Sequence, residues 1–382
     1  MTLPLNGVRI LDLSRVLAGP LASMILGDLG ADIIKIERPE SGDDTRGWGP
    51  PFDERGESAY FLSVNRNKLS VAADLSREAD LALLARLIGE ADVVLENFRP
   101  GTLERHGLGP AAMLAAHPDL LWCTITGFGL DSPRPGYDFV VQAESGWMAI
   151  TGEPDGAPMK VGVALADVLA GKDAAIQILG ALVGQRRRAV STNSASEHSA
   201  SARHLTVSLL HSATAALVNV AQNALVTGKE AARWGNAHPN LVPYQVFEAA
   251  DRPVVIAVGN DAQFAACVRA LGLDALATDP ALITNAGRVT HRARVVEAIA
   301  AHVREKSAAM VLRALDAAGV PCGVVKPVLE ALRAVEGSAL TGVAPQGPTA
   351  IRRPPPRLDE HGALVRAHGW EAFLRGARAA NA

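Results

Sequence analysis

A chain of 382 residues, 48% hydrophobic and 20% charged, is long enough to bury one large core or, more naturally, two domains. A formal net charge of −3 with acids and bases interspersed argues against a nucleic-acid partner, and the only basic run, Arg186, Arg187 and Arg188, is short. Three scattered cysteines (Cys123, Cys267, Cys322), the absence of a basic leader with an apolar core and the absence of any bilayer-length apolar run set the expectation: a metal-free, cytoplasmic protein without a membrane partner.

Short apolar runs alternate with helical patterns through the first half. Residues 8–13 read as a buried strand, 18–29 as a helix stopped by Gly30, and 32–37 as a second strand. A strand over 69–73, a helix over 76–89 and a strand over 92–96 repeat that unit, and a helix opened by Pro110 leads to a strand over 120–126. This succession predicts an α/β fold with a Rossmann-like parallel sheet. Further on, residues 168–183 read as an apolar helix, 191–202 as a flexible Ser- and Ala-rich surface loop, and 205–226 as a long apolar helix. The expected organisation is a large domain over 1–226, a Gly-, Pro- and Asn-rich linker over 227–243, and a smaller α/β domain over 244–325 with a strand at 253–258. A C-terminal segment, 326–382, contains the extended connector 352–357.

Ligands of open α/β sheets bind beyond the carboxyl ends of the strands. Those ends carry Arg15 and Val16, then Arg38, then Asn97, Phe98 and Arg99, and finally residues 127–129. Gly19 and Pro20 open a helix whose free amides could meet an anion, and Arg38, Arg99 and Arg105 could supply forks for phosphate. Each arginine alone reads as a solvated surface residue; together they point to a ligand with several phosphates. Neither G-x-G-x-x-G after the first strand nor G-x-x-x-x-G-K-[ST] anywhere is present, which argues against a dinucleotide dehydrogenase and a P-loop enzyme.

Asp167 lies within an apolar run over residues 161–171. A carboxylate in such surroundings must find hydrogen bonds elsewhere in the fold. On spacing alone, the favoured reading is an N-cap of the helix that begins at Val168.

Residues 8–20, 29–39, 96–101 and 162–167, in this order, resemble the family III CoA-transferases, and the likeness spans residues 5 to about 335. The resemblance implies that Asp167 is the nucleophile. It places CoA along Arg15, Val16, Leu17, Ala18 and Arg38, along the turn of Ala73, Asp74, Leu75, Ser76 and Arg77, and along Asn97, Phe98, Arg99 and Arg105. It also implies that CoA passes from an acyl-CoA donor, with succinyl-CoA the first choice, to a carboxylic acid through an aspartyl anhydride and an aspartyl-CoA thioester, with no cofactor beyond CoA itself. By the same resemblance, residues 244–325 form the small domain, the C-terminal segment returns to the large one, and two chains interlock as a homodimer.

The same superfamily contains α-methylacyl-CoA racemases, which need a histidine where this chain has Tyr137, so transferase is favoured with racemase or epimerase as the alternative. Tyr137 suits an acyl pocket, and Asp138 matches an acidic position in formyl-CoA transferase while also reading as a turn residue after Pro135 and Gly136. Gly259 and Asn260 resemble the glycine loop over the site, or else make a plain turn after a strand. Leu17 replaces a glutamine of formyl-CoA transferase, which argues against oxalate and formate, and His211 reads as a core histidine. A non-catalytic CoA-binding protein would keep the arginines without needing Asp167.

Overall fold

The computed structural model describes residues 2–190 and 200–379. They divide into two compact units, one of residues 1–147, 160–229 and 335–382, the other of residues 148–159 and 230–334. The second unit thus takes in 148–159 and runs on to 334, beyond the expected small-domain boundary at 325.

In the first unit, β1 (Arg9–Asp12), β2 (Asp32–Glu37), β3 (Lys68–Ala72), β4 (Val93–Glu96), β5 (Leu121–Thr126) and β6 (His204–Ser208) form one parallel sheet in the order β3-β2-β1-β4-β5-β6. Strands covered on both faces need apolar residues at consecutive positions, so β1 sends Ile10 to one core and Leu11 to the other. One face packs against α1 (Ala18–Asp28) and α7 (Leu165–Val190), through Ala22, Leu26, Ala170, Ala174 and Ile178. The opposite face packs against α3 (Glu78–Gly89) and the C-terminal Trp370 and Phe373. In chain order these elements are joined by α2 (Ala59–Leu62), α4 (Pro110–Ala116), α5 (Asp138–Glu144) and α6 (Trp147–Ile150), of which residues 148–150 belong to the second unit. Among the described residues, no single helix is long and apolar enough to cross a membrane.

Two expectations are corrected here. The apolar segment 205–226 is not one helix: after the single turn α8 (Ala200–Arg203) it begins as edge strand β6, then becomes α9 (Leu209–Ala215) and α10 (Asn219–Thr227), broken at Val218 with φ 39°. A short apolar run has no periodicity to separate strand from helix, and the vacant edge of β5 decides the matter. The helix expected at 168–183 starts earlier, at Leu165, so Asp167 is inside its first turn and is not its N-cap. Of the stretch 191–202, residues 191–199 lie outside the described residues.

In the second unit, β7 (Tyr244–Glu248), β8 (Pro253–Ala257) and β9 (Cys322–Val324) form an antiparallel sheet. It shares a core with α11 (Asp261–Ala270) and the helices Arg292–Arg304 and Ala308–Ala317, built around Phe264, Ile299 and Leu315.

The C-terminal segment is tied to the first unit by polar contacts. Arg66 is buried, forks onto Asp28 and donates to the carbonyls of Thr341 and Val343. Asn67 Oδ1 accepts the amides of Arg352 and Arg353. Truncating one partner of a buried ion pair strands the other charge. Arg66→Ala should therefore lower stability by roughly 3 to 5 kcal/mol, read from the shift of the urea unfolding midpoint.

Candidate active site

The turn after β1 is held from two sides. Asn97 Oδ1 accepts the Arg15 amide at 2.9 Å and Asn97 Nδ2 donates to the Arg15 carbonyl at 2.8 Å. Asp43 accepts the amide of Val16, which sits at φ 72°, a left-handed conformation a β-branched residue rarely adopts. The chain then enters α1, where Gly19 leaves no room for a side chain, since a Cβ there would stand 2.2 Å from Ser14 Oγ.

Two cavities open at this edge of the sheet. The first, of about 450 Å³, is lined by Arg15, Arg38, Ala73, Asp74, Leu75, Phe98 and Arg99 together with apolar Leu13, Ile36, Leu84 and Leu103. The second, of about 210 Å³, is lined by Arg15, Val16, Ala18, Asn97, Phe98 and Arg99 and reaches Tyr137 and Asp167. The two share Arg15, Phe98 and Arg99, so an apolar slot rimmed by arginines adjoins a cavity that reaches a carboxylate.

Some expected residues stand off these cavities. Leu17 occupies the N-cap position of α1 and lines neither cavity. Arg105 folds back onto the Thr102 carbonyl, Ser76 donates to Asp74, and Arg77 precedes α3 as its N-cap residue. Asp138 lines neither cavity but supports Asp167, because its Oδ1 accepts the Ala166 amide at 2.8 Å at the start of α7. Gly259 and Asn260 belong to the second unit; there Asn260 caps α11 by accepting the Gln263 amide, and the Gly259 amide donates to the Gln263 side chain. His211 lies on α9 beside a different cavity, with Asp173 and Gln177.

Among the described residues, Asp167 forms no ion pair. Burial pushes its carboxyl up to about 7, the charge of Asp138 pushes the same way, and the Ala18 amide facing it favours the ionised form. The close approach of α1 and α7 that brings Ala18 there depends on Gly171, where a Cβ would lie 2.5 Å from the Ala18 carbonyl oxygen. Two acids and an aromatic escaped the sequence reading. Asp44 pairs with both Arg15 and Arg38, and Asp43 holds Val16. Tyr60, against Trp48, has its hydroxyl pushed up to about 12 by burial and then by the charges of Asp167, Asp138 and Asp43. The available signal was length: about thirty residues separate β2 from β3, too many for a plain connection.

A carboxyl held near 7 in the fold and near 3.8 when unfolded keeps its proton in the native state over the intervening pH range. Its contribution to stability is therefore complete below about pH 4 and is lost as pH rises through 7. Asp167→Asn should raise stability at pH 8 by roughly 1 to 3 kcal/mol and flatten the stability profile between pH 4 and 8, as read by chemical denaturation at each pH.

The family model for CoA-transferase family III matches residues 5–366. A succinate–glutarate CoA-transferase of Agrobacterium fabrum is 40% identical over 95% of both chains. The succinyl-CoA:glutarate CoA-transferase of Mus musculus is 43% identical over 84% of this chain and 72% of its own. A CAIB/BAIF family protein from Brucella suis, whose crystal structure is known, superposes with a TM-score of 0.82 at 38% identity, covering 96% of this chain and 99% of that one. With a match of this extent, the chain belongs to CoA-transferase family III.

Proposed function

We propose that this CoA-transferase moves CoA from succinyl-CoA to a dicarboxylic acid, with glutarate the first candidate, through covalent intermediates on Asp167. The observation that carries the reading is the adjoining pair of cavities that share Arg15 and Arg99, one rimmed also by Arg38 and the other lined by Asp167. The named activities of the Agrobacterium and mouse relatives support the choice of donor and acceptor.

The adenine and phosphates of CoA lie along the larger cavity, with the thioester in the smaller one. An Asp167 carboxylate oxygen attacks the thioester carbonyl, the carbon–sulfur bond breaks, and a mixed anhydride forms with release of the CoA thiolate. That thiolate attacks the aspartyl carbonyl, expelling succinate and leaving an Asp167-CoA thioester. The acceptor carboxylate attacks this thioester to give a second anhydride, and the thiolate takes the new acyl group and frees Asp167. Each bond broken is matched by one formed, so no cofactor beyond CoA enters. A carboxylate without a neutralising cation is a better nucleophile than an ion-paired one, which is the chemical use of its raised basicity. We take the working form to be a homodimer. A racemase needs a second acid/base group facing Asp167, and among the described residues lining the smaller cavity there is no histidine.

Asp167→Ala should abolish exchange between succinyl-CoA and glutarate while CoA still binds. Hydroxylamine should trap the wild-type enzyme at the peptide containing Asp167 after incubation with succinyl-CoA, as read by mass spectrometry. Near wild-type turnover in the alanine variant would reject Asp167 as nucleophile, and solvent deuterium exchange at a 2-methylacyl-CoA without trapping would select the racemase. Arg38→Ala should weaken CoA binding about tenfold or more by calorimetry, from loss of one charge-assisted phosphate contact.

A further inference from the structure

Beneath the turn that carries Val16 lies a group of charges the transfer steps do not use. Lys35 and Lys68 are fully buried, as are Asp12 and Asp43. Lys68 reaches Asp12 and the carbonyl of Pro20, while Asp12 also accepts from the Ser14 amide and hydroxyl and from Ser23. Lys35 Nζ bridges Asp43 at 3.0 Å and the Ser14 carbonyl at 2.8 Å. Asp43 in turn accepts the Val16 amide at 3.2 and 3.3 Å and the Thr45 amide and hydroxyl at 3.0 and 2.8 Å.

Lone surface contacts could not hold a valine at φ 72°, because a non-glycine residue there gives up free energy that something must return. A buried, fully ionised pair can do so, since water is not present to compete for its acceptors. Two residues further on, Ala18 lines the same cavity as Asp167, its carbonyl lies against Gly171 one turn along the helix that carries Asp167, and its amide is directed to the carboxyl. We propose that the buried Lys35–Asp43 pair positions the reacting carboxylate: by gripping the Val16 amide it holds residues 15–18 in the one turn that presents the Ala18 N–H to Asp167. Lys35 and Asp43 are thus positioning residues, and the inference rests on the reading of Asp167 as nucleophile.

The test compares one loss in two backgrounds. Asp43→Asn has a single acceptor oxygen and cannot serve both the Lys35 ammonium and the Val16 and Thr45 amides. Glycine takes φ 72° without strain, so in a Val16→Gly background the grip has less to do. Asp43→Asn should lower kcat for succinyl-CoA and glutarate about tenfold or more in the wild-type background, and roughly threefold or less in the Val16→Gly background. The yield of hydroxylamine-trapped Asp167 should follow the same pattern. Should Asp43→Asn be insoluble, the double replacement Lys35→Met with Asp43→Leu leaves no unpaired charge and is measured in the same two backgrounds. Equal losses in both backgrounds would overturn the positioning role. Asp167→Ala, run alongside, separates the two ideas: if it is inactive, equal losses sink the positioning role alone, and if it keeps turnover, the nucleophile reading fails and takes the proposal with it.

Discussion

Four fully buried charges beneath the turn between β1 and α1 govern what the rest of the first unit can do. Lys35 and Lys68, with Asp12 and Asp43, cannot turn to water, so each must find its full set of partners in the backbone around it. Those partners are the Ser14 carbonyl, the Ser14 and Val16 amides, Thr45 and the Pro20 carbonyl, which are the atoms that shape the turn between β1 and α1. The turn in turn carries Arg15 into both cavities and brings the Ala18 amide toward Asp167. Local preference runs against Val16; the buried charges outweigh it.

The same unit shows how environment assigns different tasks to one residue type. Asp12 is buried, which alone would raise its carboxyl, yet Lys68, Lys35 and two serine hydroxyls bring it down to about 2. Asp167 is half-buried, but its neighbours are another acid and one backbone amide, and it rises to about 7. A carboxylate saturated with donors is inert structure, whereas one left underserved keeps a reactive electron pair. The fold spends its lysines on the first and withholds them from the second.

Much of the sheet could be read in advance because strands covered on both faces carry apolar residues at consecutive positions, as Ile10 and Leu11 of β1, Ile33 and Ile34 of β2, Val93 to Leu95 of β4 and Leu121 to Cys123 of β5 do. The arginines at the strand ends and the isolated Asp167 were legible for a related reason, since charge in apolar surroundings is costly and stands out. Strand β6 was not, because its five residues run straight into a helix and only the open edge of β5 distinguishes the two conformations. Asp43, Asp44 and Tyr60 were hidden in a segment with no periodicity, and their importance comes from partners such as Lys35 and Arg38 that fold against them from another strand or turn. Nothing local marks residues 148–159 as part of the second unit, for that is a property of contacts with segments some eighty residues later.

Arg66 hydrogen-bonds a carbonyl 275 residues further along the chain, and Asn67 Oδ1 waits to accept amides still later. On a ribosome adding about 5 to 20 residues per second, the partners at 341–353 appear roughly 15 to 55 seconds after Arg66 has left the catalytic centre of synthesis. During that interval the edge of the sheet at β3 has its neighbour β2 but not its cover, and Arg66 has only Asp28. The first unit is therefore completed last, after the whole of the inserted second unit has been made. Its nascent form carries an open flank that a cell must keep from meeting another like it.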